Sequence, residues 1–350
     1  MKLSYLKYLC AYLVPVMVLF SLYMGVFFSY GAVIFVFIIV PFIELFTSVD
    51  TSNMNKVEEA IAKDDQFYDY LLYLLVPFQF LILAYFLYRI SIPNLELYEI
   101  IGMTTALGMA CGLSINNAHE LGHRNTKFEQ FLSKLLLMST LYMHFFIEHN
   151  RGHHLRVATE EDPASSRYGE VIYLFYFRTI YGSWMSAWEL EKNRLKRAGK
   201  SVLSFENEML VFQIIQLALI SMIGIFFGLK VLMCFVMGAF IGILMLETVN
   251  YIEHYGLKRK KIGKRYERTL PIHSWNSSHP FGRMIMLELS RHSDHHYIAN
   301  RKYQLLRHFD DSPQMPTGYP GMMLLALIPP IWFKIMHKQI DKYRTAFEEL

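Results

Sequence analysis

The chain has 350 residues, of which 53% are hydrophobic and 15% aromatic against 18% charged, with a formal net charge of +4. That balance excludes a disordered, collagenous or highly charged nucleic-acid-binding chain and leaves either a large soluble core or a membrane protein. Windows free of charge decide between the two, because about 20 apolar residues cross a bilayer as a helix.

In chain order, the first such window runs from Leu9 to Phe28. It has no small-residue cleavage site and is followed directly by a second apolar stretch, so it reads as a retained helix and not as a signal peptide. The second span covers 30–46, interrupted only by Glu44, the third 70–88, and the fourth 98–118. A long polar region, 119–208, comes next. Within it the run Leu135 to Ile147 is too short to span and reads as an interfacial or re-entrant helix. The fifth and sixth spans, 209–229 and 231–252, precede a second polar region, 253–350. Its last apolar piece, Met322 to Met336, carries Pro329 and Pro330 and reads as a surface-bound segment. No repeat or low-complexity linker marks a separable unit. The expectation is an all-α polytopic protein: residues 1–350 form one membrane-integral domain of six spans under a polar cap.

Basic residues orient it. With the N-terminus inside, the outer loops hold only Arg89 and Lys230 out of 34 Lys and Arg, as the positive-inside rule requires. Both termini and both polar regions are then cytoplasmic, and the net charge reflects a basic inner face, not affinity for nucleic acid. Cys10, Cys111 and Cys234 each sit in an apolar window and form no CxxC pair, so they suggest neither disulfides nor a zinc ribbon. The spacings Gly108/Gly112, Gly224/Gly228 and Gly238/Gly242 allow close contact between spans.

The chemistry lies in the histidines. Of 14 in the chain, nine fall in four short clusters, all on the predicted inner face. His119 and His123, in HELGH, share one helical face at a spacing of four, and His149 and His153, in EHNRGHH, repeat that spacing with His154 beside them. His254 stands alone at the inner end of the sixth span, and His292, His295 and His296 follow at i, i+3 and i+4. Neutral imidazole is a common ligand of transition metals, and nine exceed the four that one tetrahedral zinc uses, so two metal ions are implied. A membrane zincin, with Glu120 as general base between His119 and His123, leaves three clusters without a role. A metal transporter would place ionisable ligands near the bilayer midplane, whereas these gather at span ends.

The motifs HELGHR from His119, EHNRGHH from Glu148, NYIEHYGL from Asn250 and RHSDHH from Arg291 resemble those of the integral-membrane alkane 1-monooxygenase family, a branch of the membrane fatty acid desaturase and hydroxylase superfamily. HSWNSSH from His273 and PTGYPG from Pro316 add to the likeness, which covers nearly the whole chain. Ser290, Ser278 and Arg124 depart from the usual Gln, Asn and Lys, and none of these positions is a presumed ligand. The resemblance implies a non-haem diiron centre held by His119, His123, His149, His153, His154, His254, His292, His295 and His296, with no separate protein acid or base. It implies dioxygen-dependent hydroxylation of the terminal methyl of medium- to long-chain n-alkanes in the inner membrane. Electrons would come from rubredoxin and its NAD(P)H-dependent reductase, since the chain has no dinucleotide fingerprint.

Glu148, Glu253, Asp294 and Asp310 are candidates for orienting ligand imidazoles by accepting their second N–H. His273 and His279 are spare histidines near the clusters, His144 reads as a satisfied buried residue, and His308 and His337 read as surface residues. The basic run Lys258 to Arg265 is a candidate dock for an acidic electron carrier, although anionic lipid would account for such charge as well. Rival readings are a hydroxylase or desaturase of another apolar chain, fatty acyl or alkyl-aromatic, and a transition-metal carrier.

Overall fold

The structure, a computed structural model, describes residues 4–348, and side chains over 5–343. Apart from one short β-hairpin, the elements among the described residues are helical. α1 (Tyr5–Met24) and α2 (Val26–Phe46) form the first apolar pair. The break between them is Gly25, whose φ of 60° suits a residue without a β-carbon. This places the first boundary four residues before the end of the charge-free window, because hydropathy does not register a backbone reversal. After the short capped helix α3 (Lys56–Asp64) come α4 (Phe67–Ser91) and α5 (Leu97–Gly122). Their connection meets the Gly25 turn: Val26 N donates to Glu99 Oε1 at 2.7 Å and Arg89 donates to Tyr23 O at 3.2 Å.

α6 (Lys127–Ser139) ends at Thr140, and Leu141, at a φ of 56°, turns the chain into a short helical segment at 145–156. Leu135 to Ile147 is thus the end of one helix and the start of another, not a single re-entrant element. α7 is the segment 145–156 and α8 is Ile172–Arg197. α8 is too charged at its end to read as a span. Its buried residues, Ile172, Phe175, Thr179, Ser183, Ala187, Glu191 and Leu195, recur every three or four positions and give it one inward stripe.

α9 (Glu208–His254) is continuous for 47 residues except at Gly228, where φ is 81° and ψ 172°. A straight helix of that length would run to about 70 Å, over twice a bilayer core. Its two ends nevertheless lie together. Glu208 pairs with Lys134 and Arg151, and His254 packs 4.9 Å from His153, ring centre to ring centre. α9 is therefore a hairpin of two arms about Gly228, which are the fifth and sixth predicted spans.

The second arm of α9 crosses α5 on glycine. A β-carbon built on Gly242 would lie 2.4 Å from Cys111 Cβ and 2.9 Å from Gly112 N, and one on Gly108 would lie 2.4 Å from Ile241 Cγ2. Two of the three glycine spacings in the sequence thus face each other, while the third contains the hairpin break. After α9 come β1 (Lys261–Ile262) and β2 (Arg265–Tyr266), paired antiparallel, then α10 (Pro280–Ile285), α11 (His292–Tyr297), α12 (Tyr319–Ala326) and α13 (Pro329–Glu348). Met322, Met323, Trp332 and Met336 are buried against Tyr251 and Tyr255 at the end of α9. The other face of the run Met322 to Met336 leaves Leu324, Leu327, Ile328 and Ile331 exposed, as a surface-bound segment would, and the two prolines start a second helix that folds back onto the first.

Candidate metal centre

Buried ion pairs seat the cap on the ends of the spans. Glu288 accepts from Arg283 (2.6 Å), Lys7 (3.1 Å) and the Tyr8 hydroxyl (3.0 Å), which joins α1 to the cap. Arg291, just before α11, donates to the carbonyls of Ser52 and Leu306, both at 2.8 Å, and so fixes where α11 begins.

Four elements then deliver the histidines to one place. The end of α5 brings His119 and His123, α7 brings His149, His153 and His154, the end of α9 brings His254, and α11 brings the last three. They sort into two groups: His119, His123, His149, His154 and His295 in one, and His153, His254, His292 and His296 in the other. The sequence spacing does not give this division. His149 to His153 is a π-helical turn, and the wider turn aligns His149 with His154, whose Nε2 atoms are 3.0 Å apart, while His153 turns to the second group. On α11, His292 and His296 stay together at i, i+4, and His295 faces the first group.

The donor atoms converge through Nε2. In the first group His154 Nε2 lies 3.1 Å from His123 Nε2, 3.0 Å from His149 Nε2 and 3.2 Å from His295 Nε2. In the second, His153 Nε2 is 3.3 Å from His296 Nε2, and His292 Nε2 is 3.3 Å from His254 Nε2. His154 Nε2 carries either one proton or one lone pair, so it can make at most one hydrogen bond among its three contacts. With the rings in the Nδ1–H form the Nε2 lone pairs face one another, a repulsion that a cation between them converts into attraction. The donor set therefore fits metal ions, and neutral nitrogen is the ligand that divalent transition metals prefer over hard oxygen sites.

Burial keeps the rings in that form. It lowers His123, His149, His292, His295 and His296 well below the ordinary histidine range, with neighbouring imidazoles adding to the effect, and it brings His154 to about 3. His153 shifts the other way. Burial opposes its charge, but Asp162 beside it prevails and raises it.

Asp162, which no sequence motif marks, orients His153. Its Oδ2 lies 2.9 Å from His153 Nδ1 and accepts from Ser165 Oγ at 2.6 Å. It thereby holds the Nδ1–H tautomer and turns the Nε2 lone pair to the group. The available signal was an acidic residue in an Asp-Pro turn nine positions after His153, which spacing rules for helices do not reach.

The carboxylates that were expected to orient imidazoles have other partners. Glu148 accepts from His153 N (3.1 Å) and Arg156 (2.5 Å), so it fixes backbone and not a ring. Asp294 accepts from Arg301 (2.7 Å) and Arg307 N (2.8 Å), both through Oδ2, while its buried Oδ1 has no hydrogen-bond partner. Asp310 is exposed and lies 3.3 Å from His308 Nε2, apart from both groups. Glu253 is the exception in position: its Oε2 is 3.1 Å from His292 Nε2, the nitrogen that faces His254, while Oε1 accepts from Tyr319 at 2.8 Å. Its carboxylate thus looks into the four-histidine group and not at an outer N–H.

Among the spare histidines, His273 Nδ1 accepts from Leu270 N and its Nε2 meets Glu267, and His279 Nδ1 meets Ser277 Oγ, so both lock the loop before α10. His308 is buried, its Nδ1 3.0 Å from Ser278 Oγ, and so is not the surface residue expected, because the cap folds over it; His337 is half-buried and stacks on Tyr168 at 4.1 Å. His144 is buried as expected, yet its Nε2 has no hydrogen-bond partner. Glu120 points away from the histidines. It accepts two bonds from Arg124 (3.0 and 2.6 Å) and one from Tyr303 N (3.1 Å), which removes it as a zincin base. Glu120→Gln should accordingly keep substrate oxidation within about tenfold of wild type, against the 10²–10⁴-fold that loss of a general base costs, as a steady-state assay would show.

Two cavities adjoin the site. A narrow slot of about 80 Å³ is lined almost wholly by apolar side chains, from Val14, Val36 and Val40 down to Asn116, Leu246 and Val249, one or two turns short of His119 and His254. A wider cavity of about 920 Å³ lies between α8 and α9, and Met109, Met245 and Met323 belong to the walls of both.

Residues 97–326 match the family profile described as fatty acid desaturase. The chain is 42% identical to the alkane 1-monooxygenase of Acinetobacter baylyi over 90% of its own length and 78% of that protein's. It is 44% identical to the alkane 1-monooxygenase of Ectopseudomonas oleovorans over 80% and 70% of the two chains. Identity to the xylene/toluene monooxygenase hydroxylase component of Pseudomonas putida is 28%, over 78% and 73%. The four segments that carry the histidines all fall within the matched region, and the chain belongs to the fatty acid desaturase family and, within it, to the alkane 1-monooxygenases.

Proposed function

We propose that this chain hydroxylates the terminal methyl group of medium- to long-chain n-alkanes, with dioxygen as oxidant and two iron ions held by the nine histidines. The observation that carries the reading is that two converging imidazole groups, seven of whose nine rings are buried, lie one or two helical turns beyond the end of an apolar slot. His119, His123, His149, His154 and His295 would hold one ion, and His153, His254, His292 and His296 the other, with Glu253 facing the second. The ions supply the activation of dioxygen, and the protein supplies position and dryness. An alkane offers no hydrogen-bond handle, so the shape of the slot selects which carbon reacts. The route from the wide cavity past Met109, Met245 and Met323 lets a flexible chain arrive from lipid, since unbranched thioether side chains repack easily.

The same reading makes the protein a single domain of the inner membrane with both termini and the histidine cap in the cytoplasm. Electrons come from rubredoxin, served by its reductase, at the hairpin Lys258 to Arg265. Lys258, Lys260, Lys261, Lys264 and Arg265 are exposed there. Arg259 ties the hairpin to the histidine-bearing turn by donating to Leu155 O (2.9 Å) and Val157 O (3.2 Å). Reversing Lys260 and Lys261 to Glu should slow reduction by rubredoxin several-fold at low salt, with the difference fading as salt rises; stopped-flow reduction measures it.

The function is tested by giving membranes that contain the protein rubredoxin, its reductase, NADH, ¹⁸O-labelled dioxygen and a mixture of alkanes. A labelled primary alcohol is the expected product. An alkene, an unlabelled product, or oxidation of alkyl-aromatics or acyl chains alone would overturn the alkane reading.

A further inference from the structure

The slot is shaped for a hydrocarbon, yet one amide lines it: Asn116 is the only polar side chain in its wall. Asn116 stands on α5 one turn before His119, at the end of the slot nearest the histidines, where the reacting carbon of a bound chain would lie. We propose that this end is a hydroxyl subsite, in which Asn116 Oδ1 accepts the O–H of a primary alcohol, so that the slot holds the product more tightly than the alkane it came from. The proposal rests on the function given above, which forms a C–O–H group at the terminal carbon.

Asn116 is 6% exposed, and its two polar atoms are treated differently. Nδ2 donates to Met286 O at 3.2 Å, while Oδ1 is buried and has no hydrogen-bond partner among the described residues. The bond to Met286 settles which end of the amide is which, since the flipped side chain would set oxygen against oxygen. Met286 opens the turn in which Leu287 and Glu288 take φ of 51° and 59°, and Glu288 is held there by Arg283 and Lys7. Its carbonyl is thus anchored, and Oδ1 is an acceptor in a fixed place.

A buried acceptor left unpaired carries its full desolvation cost. An alkane has no donor and leaves that cost in place. An alcohol removes it with its O–H, while its chain fills the same apolar walls, Val36, Met109, Leu246 and Val249 among them. This asymmetry separates a hydroxyl-bearing ligand from its hydrocarbon analogue better than pocket size can. An amide also suits the place, because a carboxylate there would bring charge into an apolar slot. The alcohol therefore competes with the alkane, and its departure requires the bond to Asn116 to break.

Asn116 also clamps Met286, and the test must separate clamp from subsite. Ligand chemistry does so, because n-decanol and n-decyl chloride share a chain length but only the alcohol donates. The probe is displacement of tritiated n-decane from unreduced, metal-loaded protein in detergent, where no turnover occurs, corrected for uptake by empty micelles. In wild type n-decanol should displace it at a concentration roughly 3- to 10-fold lower than n-decyl chloride does, the preference that one neutral hydrogen bond gives. In N116L, which keeps the branched outline of the side chain, that preference should vanish while n-decane still binds; N116A gives the same reading if N116L does not fold. Equal displacement in wild type, a preference kept in the variants, or loss of n-decane binding in both variants would overturn the proposal. Equal displacement in protein that makes alcohol from alkanes would reject the subsite alone. The expected preference, lost in N116L, in protein that makes no alcohol would uphold the subsite and reject the reaction, and failure of n-decane to bind wild type would reject both.

Discussion

His153→Ala should leave a protein that still inserts but has lost metal from the four-histidine group and oxidises alkanes below detection. His153 supplies one of only four nitrogens there, and its tautomer is already set by Asp162 at 2.9 Å, so no neighbouring ring can take its place. It also stands within the turn whose other residues serve the five-histidine group, so the loss reaches both. Two companion variants make the result specific. Asp162→Asn leaves the ligand in place and removes only its orientation, for which about 10- to 100-fold weaker metal affinity is expected. His337→Ala removes a histidine stacked on Tyr168, and metal content should stay at wild type. Elemental analysis of purified protein beside the oxidation assay reads all three. Full metal content and activity in H153A would reject the ligand assignment.

The second large effect belongs to packing. Gly242→Val should abolish folded protein, because even its β-carbon would sit 2.4 Å from Cys111 Cβ and 2.9 Å from a backbone nitrogen. Backbone cannot move aside as a side-chain tip can, so α5 and the second arm of α9 must part. Those two helices end in His119 and His254, the latter about 18 Å further along its own helix. Parting them separates ligands of both groups. Gly242→Ala brings the same β-carbon without the two further methyl groups, so it should also lower the thermal midpoint, by at least the upper end of the about 1–3 kcal/mol that overpacking costs. Gly224→Ala is the control: its β-carbon meets only the tip of Leu232, at 3.3 Å, and its thermal midpoint should stay near wild type. Unfolding in detergent, followed by light scattering or tryptophan fluorescence, ranks the three.

Much of this was legible in the sequence because the relevant signals are local. Charge-free windows locate α1, α2, α4, α5 and both arms of α9, and histidine clustering names all nine residues that the fold brings together. What escaped depends on backbone geometry or on distant partners. The π turn at His149 to His153 reassigns His153 and His154, and nothing in the string EHNRGHH distinguishes it from an α turn. Asp294 reads as a ligand-orienting carboxylate, and the sequence does not announce that Arg301 and Arg307, 7 and 13 residues on, take its Oδ2. α8 was missed because its apolar stripe is interrupted by charges, a pattern that registers as neither span nor loop.

The π turn has a consequence for assembly. Because residues 149–154 face both groups from one short stretch of backbone, the two sites cannot be shaped independently: fixing His149 and His154 fixes the direction of His153, and the reverse. With one ion in each group, as proposed above, the ordering free energy taken up by the first ion would not be required again for the second, so loading would be cooperative in the thermodynamic sense. At half the saturating metal, the population should divide into empty and fully charged molecules, with singly charged ones scarce.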